Sequence, residues 1–314
     1  MSSPKVDLSK AVGFKAPPLK VVYNSRDLLL YSLSIGVHSD ELHFLYENHP
    51  GFAAFPTYPL VLSFKRDNLS VSVYDTAGYQ NIPGIPDFNY DSLVHGEQSL
   101  EIHRPLPVEG GSFELLGEVT GVFDKGSGML IRRSMQLVRP GDNNPFVTMK
   151  ASAFIIGAGG FGGPKETAKP PSYAPPKDRA PDHAVEDKIT EDQAILYRLS
   201  GDYNPLHIDP AIAPRLGFKK PILHGLCTYG HAAHVIVKTY AGSDPNALKS
   251  ITGKFTSPVY PGDTLVTKMW TVPSENKDQT TVIYQTSVKE TGKIVINAGC
   301  VVLQNSARSV ASKL

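Results

Sequence analysis

The stretch LYRLSGDYNPLHID, residues 196–209, sets Asp202, Asn204 and His207 within six residues, with Pro205 between them. A carboxylate and an imidazole brought to one point can bind a water, remove its proton and return a proton elsewhere. Proline fixes its own φ and turns the residue before it away from helical geometry, so 202–204 is expected to form a turn. A turn can aim Asp202 and His207 together where a regular helix, at an offset of five, would not. A neutral imidazole accepts on one nitrogen only, and the carboxylate or Asn204 can fix which. The same residues also suit a capping turn, with Asp202 closing an Asx-turn and His207 packed. The segment alone leaves both open.

A second stretch, KPILHGLCTYGHAAH, bears on that choice. It opens a long helical candidate over Leu223–Ala241, and Gly225 lies at its start. First-turn N–H groups have no intrahelical acceptor and carry partial positive charge. With no side chain at Gly225, its N–H is open to a carbonyl that gathers negative charge during reaction. Close packing of helix on sheet is the competing reason for a glycine there. His224, His231 and His234 have no metal-ligand spacing, and no metal is expected. His231 and His234 are expected to face solvent or pack along the helix.

The elements that must hold these residues occur twice. A short helix comes first in each half, within SDELHFLYENHPGF with Ser39 as cap, and within TEDQAILYRLS with Thr190 and Gln193 as a capping box. Alternating strands follow: FELLGEVTGVF, GMLIRRSMQLV and VTMKASAFII in the first half. TLVTKMWTV, TTVIYQTSVKE and KIVINAGCVVL are their counterparts in the second. Two meandering antiparallel sheets are expected, each with a helix on one face, an α+β class. The Asp202-Asn204-His207 cluster and the long helix belong to the second half alone. The first-half counterpart of that helix, FPTYPLVLSF, is broken by Pro56 and Pro59, which leaves room on that sheet for a hydrophobic tail. Glu47 stands where the catalytic turn would fall in the first repeat and is expected to support the junction of the halves.

Residues 157–186 are dense in Gly and Pro and are expected to form a linker. Gly157, Gly159 and Gly162 there match the dinucleotide fingerprint G-x-G-x-x-G. That fingerprint needs a helix directly after the glycines, and Pro164, Pro170, Pro171, Pro175 and Pro176 follow instead, so nucleotide binding is set aside.

Composition narrows the classes further. The formal charge of the 314 residues is +1, which gives no reason to expect a nucleic-acid or bilayer partner. Two cysteines, Cys227 and Cys300, suit a reducing compartment rather than a disulfide framework. No apolar run is long enough to span a membrane. The N-terminal residues 1–20 are expected to be a polar arm. The last residues, Ser312-Lys313-Leu314, form the address read by the peroxisomal import receptor, so the peroxisomal matrix is the expected location.

YRLSGDYNPLHIDP with KPILHGLCTYG resembles the hydratase-2 motif of the (3R)-specific 2-enoyl-CoA hydratases, a MaoC-like family that includes the hydratase part of peroxisomal multifunctional enzyme type 2. LVHGEQSLEIHRPLP, DKGSG, GAGGFGG and FTSPVYPGDTL extend the resemblance over nearly the whole chain. It implies a double hot-dog fold with the first helix shortened, and reversible hydration of trans-2-enoyl-CoA to (3R)-3-hydroxyacyl-CoA in fatty-acid β-oxidation. It implies no metal or redox cofactor, the CoA being part of the acyl-CoA substrate, and a homodimer. On that resemblance Asp202 and His207 are the acid/base pair, Asn204 helps position the water, and Gly225 is the oxyanion-hole glycine. His95, Gly96, Lys125, Tyr203 and Phe255 match substrate-contacting positions. Arg132, Arg133, Lys219 and Lys220 are further cations that CoA phosphates could meet. The expected organisation is an arm (1–20), an N-terminal repeat holding the acyl pocket (21–156), the linker (157–186), a C-terminal repeat with the motif (187–305) and a tail (306–314). The context reads as a free-standing hydratase. A hot-dog thioesterase, or a noncatalytic acyl-CoA-binding protein, is the alternative.

Overall fold

The structure, a computed structural model, describes residues 6–71, 82–88, 92–166 and 173–305. The C-terminal Ser-Lys-Leu lies outside them. The strands are β1 (Leu19–Tyr23), β2 (Leu93–Ile102), β3 (Gly111–Asp124), β4 (Gly128–Val138) and β5 (Val147–Ile156), then β6 (His183–Lys188), β7 (Leu248–Phe255), β8 (Thr264–Val272), β9 (Gln279–Val288) and β10 (Ile294–Gln304). The six strands expected from alternation are all present, because each has one buried and one partly solvated face. The helices are α1 (Leu8–Ala11), α2 (Ser25–Ser34), α3 (Leu42–Leu45), α4 (Leu62–Lys65), α5 (Gln193–Tyr197) and α6 (Gly225–Ala241).

Two separate sheets were expected; the chain forms one antiparallel sheet in the order β1-β3-β4-β5-β2-β7-β10-β9-β8-β6. Adding five to each strand of the first half, 1-3-4-5-2, gives 6-8-9-10-7, so the halves are one plan used twice and joined edge to edge. The seam is β2 against β7, with Gln98 opposite Gly253 and Leu100 opposite Ile251. Pairing there removes an exposed edge from both repeats. This is the double hot-dog arrangement. α6 is its central helix: every residue from Leu226 to Val237 is buried, and Gly242, at φ +56°, ends it in the left-handed conformation.

Several local expectations are corrected. Ser39 caps nothing: α3 starts after Glu41, without a side-chain cap. The main helix of the first half is instead α2, where Asn24 and Asp27 form a reciprocal capping box. The Thr190 hydroxyl donates to the Gln193 side-chain oxygen instead of forming a capping box, and α5 starts after Asp192 without a side-chain cap. The arm is not free, since α1 docks on β3 with Ala11 fully buried. β6 takes in residues 183–186 of the expected linker. The short first-half counterpart of α6 holds: a 3₁₀ turn over Tyr58–Val61 runs into α4. Tyr23, Tyr31, Tyr58, Phe113 and Phe146 pack in this half with edge and stacked ring contacts.

Buried polar contacts hold α6, and those to Glu41 and Ser34 tie the halves together. His231 and His234 do not face solvent; each is buried and meets a carboxylate, His231 with Asp187 at 2.6 Å and His234 with Glu41 at 2.7 Å. Gln193 Nε2 and Cys227 Sγ both donate to the carbonyl of Ser34. Glu47, expected at this junction, is exposed and bonds only its neighbour Asn48. Glu41 does that work. Burial pushes its carboxyl up, but hydrogen bonds from His234, Ser243 and Lys238 outweigh burial and hold it at about 2, against an ordinary 4.5. Its contribution is therefore complete above pH 4.5 and lost as pH falls toward 2. Glu41→Gln is expected to destabilise the chain by about 3 kcal/mol in denaturant titration at neutral pH, and to flatten the loss of stability across that acid window.

Candidate active site

The turn proposed to carry the acid/base pair is built by local bonds. Asp202 Oδ1 accepts from the N–H of Asn204 at 3.2 Å, and Asn204 Oδ1 accepts from the N–H of Leu206 at 3.0 Å. Pro205 then opens a 3₁₀ turn through His207. Asn204 thus caps the turn that carries His207. Gly201 sits at φ +128°, and a Cβ there would lie 2.6 Å from the backbone nitrogen of Lys65 in α4. Only glycine permits both that conformation and that approach. Gly201→Ala is expected to lower the melting temperature and to cut activity at least tenfold, because backbone, not a flexible side chain, must move.

The turn and the start of α6 bring three side chains together. One ligating atom each from Asp202, His207 and His224 lies within 4.8 Å of the others. His207 Nδ1–H donates to the Ile222 carbonyl at 2.8 Å, which leaves Nε2 as the acceptor. His224 Nε2–H donates to the Asp202 carbonyl at 3.1 Å. The His207 and His224 rings stack at 3.7 Å and 26°. Burial raises the Asp202 carboxyl, partly offset by charge on His207, and burial lowers His207. Both shifts favour the same state, a protonated carboxyl beside a neutral imidazole.

Gly225, the residue after His224, is the first of α6, and it is exposed. A Cβ there would meet the Phe255 ring at 3.4 Å, so the missing side chain leaves a slot between helix tip and ring. His95 joins the same corner with its ring 4.9 Å from that of Phe255. Gly96 lies at a break in the β2–β5 register, a bulge that re-aims His95. Burial lowers His95 to about 4, and its Nε2 is buried without a hydrogen-bond partner among the described residues. Tyr203 is half-buried, with the Arg198 guanidinium 5.0 Å from its ring centroid.

Lys125 stands apart from this corner. It pairs with Glu166 at 2.5 Å, and Glu166 also takes Arg132. Lys254, next to Phe255, pairs with Glu97 at 2.6 Å, and Arg132 approaches the same carboxylate at 4.0 Å. The charges therefore form a string between Lys125 and the Phe255 corner. A cleft of about 650 Å³ opens beside Lys125, between Asp124, Gly160, Lys165 and Glu166, and shares no lining residue with the catalytic turn. The Gly-rich run bounds it. No helix follows in residues 157–166; the Asp124 carboxylate accepts from the N–H groups of Gly126, Gly160 and Gly162, so the glycines enclose a side chain of this chain.

The sequence reading brought Asp202, His207 and Gly225 together but missed His224 as a partner. The only available signal was its position before Gly225, because its ring contacts at the site span 17 and 22 residues.

Comparison with known proteins identifies the family. Residues 22–157 match the MFE-2 hydratase 2 N-terminal domain, and residues 172–293 match the MaoC like domain. The chain is 37% identical over 300 residues to a probable enoyl-CoA hydratase 2 of Dictyostelium discoideum, covering 95% of this chain and 97% of that one. It is 37% identical to the peroxisomal multifunctional enzyme type 2 of Mus musculus over 91% of its own length, but spans only 37% of that protein. The crystal structure of a MaoC-like dehydratase from Phytophthora capsici superposes with a TM-score of 0.86 at 38% identity, covering 96% of this chain and 99% of the other.

Proposed function

The chain belongs to the MaoC-like enoyl-CoA hydratase 2 family and is a hydro-lyase of β-oxidation; from that premise we propose that it adds water reversibly across trans-2-enoyl-CoA to give (3R)-3-hydroxyacyl-CoA. The observation that carries this reading is the meeting of Asp202 and His207 beside the open tip of α6. The Gly225 N–H holds the thioester oxygen and makes C3 electrophilic. His207 Nε2 takes a proton from water as the water oxygen bonds C3. Asp202, whose carboxyl burial shifts toward the protonated form, gives a proton to C2 on the same face. A proton then passes from His207 to Asp202 and restores the pair.

The pair works while it holds one proton, so the rate falls at low pH as His207 becomes charged and at high pH as Asp202 ionises. Because burial lowers His207, the acid limb of kcat/KM is expected below pH 6.5. Hydration changes no oxidation state and both proton carriers are side chains, so activity is expected to survive dialysis against a chelator. CoA phosphates are assigned to the cations near Lys125, where Glu166 competes with them. Glu166→Ala is expected to lower KM about threefold to fivefold with kcat unchanged, the scale of one partly exposed ion pair.

The name of the mouse relative and the Ser312-Lys313-Leu314 terminus support a place in the peroxisomal matrix, reached through the import receptor. Deleting those three residues is expected to leave the protein cytosolic. The active form is assigned as a homodimer. A direct test of the reaction follows enoyl-thioester absorbance together with free thiol. Absorbance lost without thiol is the expected result; thiol release would mean a thioesterase, and neither signal would mean binding alone.

A further inference from the structure

We infer that His224 is a positioning residue of this site, which fixes the acid/base pair relative to the oxyanion donor. The inference rests on the hydration reading above. Three contacts converge on the ring. Its Nε2–H holds the Asp202 carbonyl at 3.1 Å, and so the backbone of the turn. One face stacks on His207 at 3.7 Å. Tyr197 packs against it with ring centroids 4.9 Å apart, and Tyr197 in turn contacts Tyr31 of the first repeat at 6.1 Å. Its backbone is the N-cap of α6, one residue before the Gly225 N–H. The residue is 1% exposed.

No other described side chain touches both the Asp202 turn and the His207 ring through contacts of this kind while preceding the helix tip in the chain. The Asp202 carbonyl can only accept, so the tautomer of His224 is set, and Nδ1 carries the lone pair. That Nδ1 is buried without a partner among the described residues. A proton there would be an unpaired buried donor against the face of His207, so the ring stays neutral through turnover. His224 therefore carries no proton itself. It sets where Asp202 and His207 sit and keeps water from solvating His207.

The test compares His224→Phe, which keeps a flat ring but loses the donor, with His224→Gln, whose amide N–H can still reach the carbonyl. Steady-state hydration of crotonyl-CoA is measured across pH with the melting temperature of each variant. The expected result is a kcat about 30-fold to 100-fold lower for His224→Phe, with KM within threefold of wild type. Its acid limb moves to higher pH as water reaches His207, and His224→Gln recovers at least tenfold of the loss. A residue that merely fills space would change the melting temperature without moving the acid limb of the folded enzyme. The inference is overturned if His224→Phe stays within twofold of wild type with the same limb, or if folded His224→Gln is as slow as His224→Phe. Should His224→Phe not fold, His224→Asn, whose amide is too short to reach the carbonyl, takes its place against His224→Gln under the same criteria. Asp202→Asn and His207→Gln separate the two claims: full activity in those variants removes the acid/base assignment on which this inference rests, whereas their inactivity beside a normal His224→Phe removes only this inference.

Discussion

Asp202→Asn and His207→Gln are each expected to lower kcat about 10³-fold while KM for an enoyl-CoA stays within about threefold, since a positioned proton donor or acceptor contributes roughly 10²- to 10⁴-fold. The substitutions keep size and hydrogen bonding. Asparagine at 202 can still accept from the Asn204 N–H through its oxygen, so the turn survives, but it cannot give a proton to C2. Glutamine at 207 can offer its amide near the Ile222 carbonyl, yet it leaves no basic lone pair where Nε2 stood. The two groups act on one water and share one proton, so the double variant is expected to be little slower than either single variant. Single-turnover hydration followed by enoyl-thioester absorbance checks this, and a single variant within tenfold of wild type would break the assignment.

Gly225→Pro is expected to cost about 10²- to 10³-fold in kcat, the scale of one lost oxyanion donor. Proline at the first helical position suits α6, because its fixed φ is helical and the N–H it lacks has no intrahelical acceptor. The variant therefore removes the donor without breaking the helix. Gly225→Ala is the control: it keeps the N–H and adds a Cβ at an ordinary 3.4 Å from Phe255. The alanine variant is expected to remain within about tenfold of wild type. Equal losses in both would mean that Gly225 serves packing rather than polarisation.

Much of the fold was legible because its signals are local. VTMKASAFII alternates and is β5 residue for residue; the nearly all-apolar run after Gly225 is a helix buried on every side. What escaped depends on partners far along the chain. The β2–β7 seam joins residues about 150 positions apart, and nothing in either strand announces it. His231 and His234 are buried because Asp187 and Glu41 meet them, and Glu47 is a surface residue because Glu41 reaches the junction instead. Helix α2 was missed although Asn24 and Asp27 carry its cap, since Ser39 offered a competing start. At the site, the motif fixed which residues to watch, and Gly201 and Pro205 explain how the turn is held. The tautomer of His207 follows from the Ile222 carbonyl, a contact 15 residues along the chain that the motif does not announce.

The central claim is that one water is added to one face of the enoyl thioester by Asp202 and His207. Chiral analysis of the alcohol formed from trans-2-decenoyl-CoA by the wild-type enzyme and by His207→Gln tests it most directly. The account predicts the 3R product alone from the wild type and almost none from the variant. An S-configured product, or undiminished 3R product from His207→Gln, would contradict it.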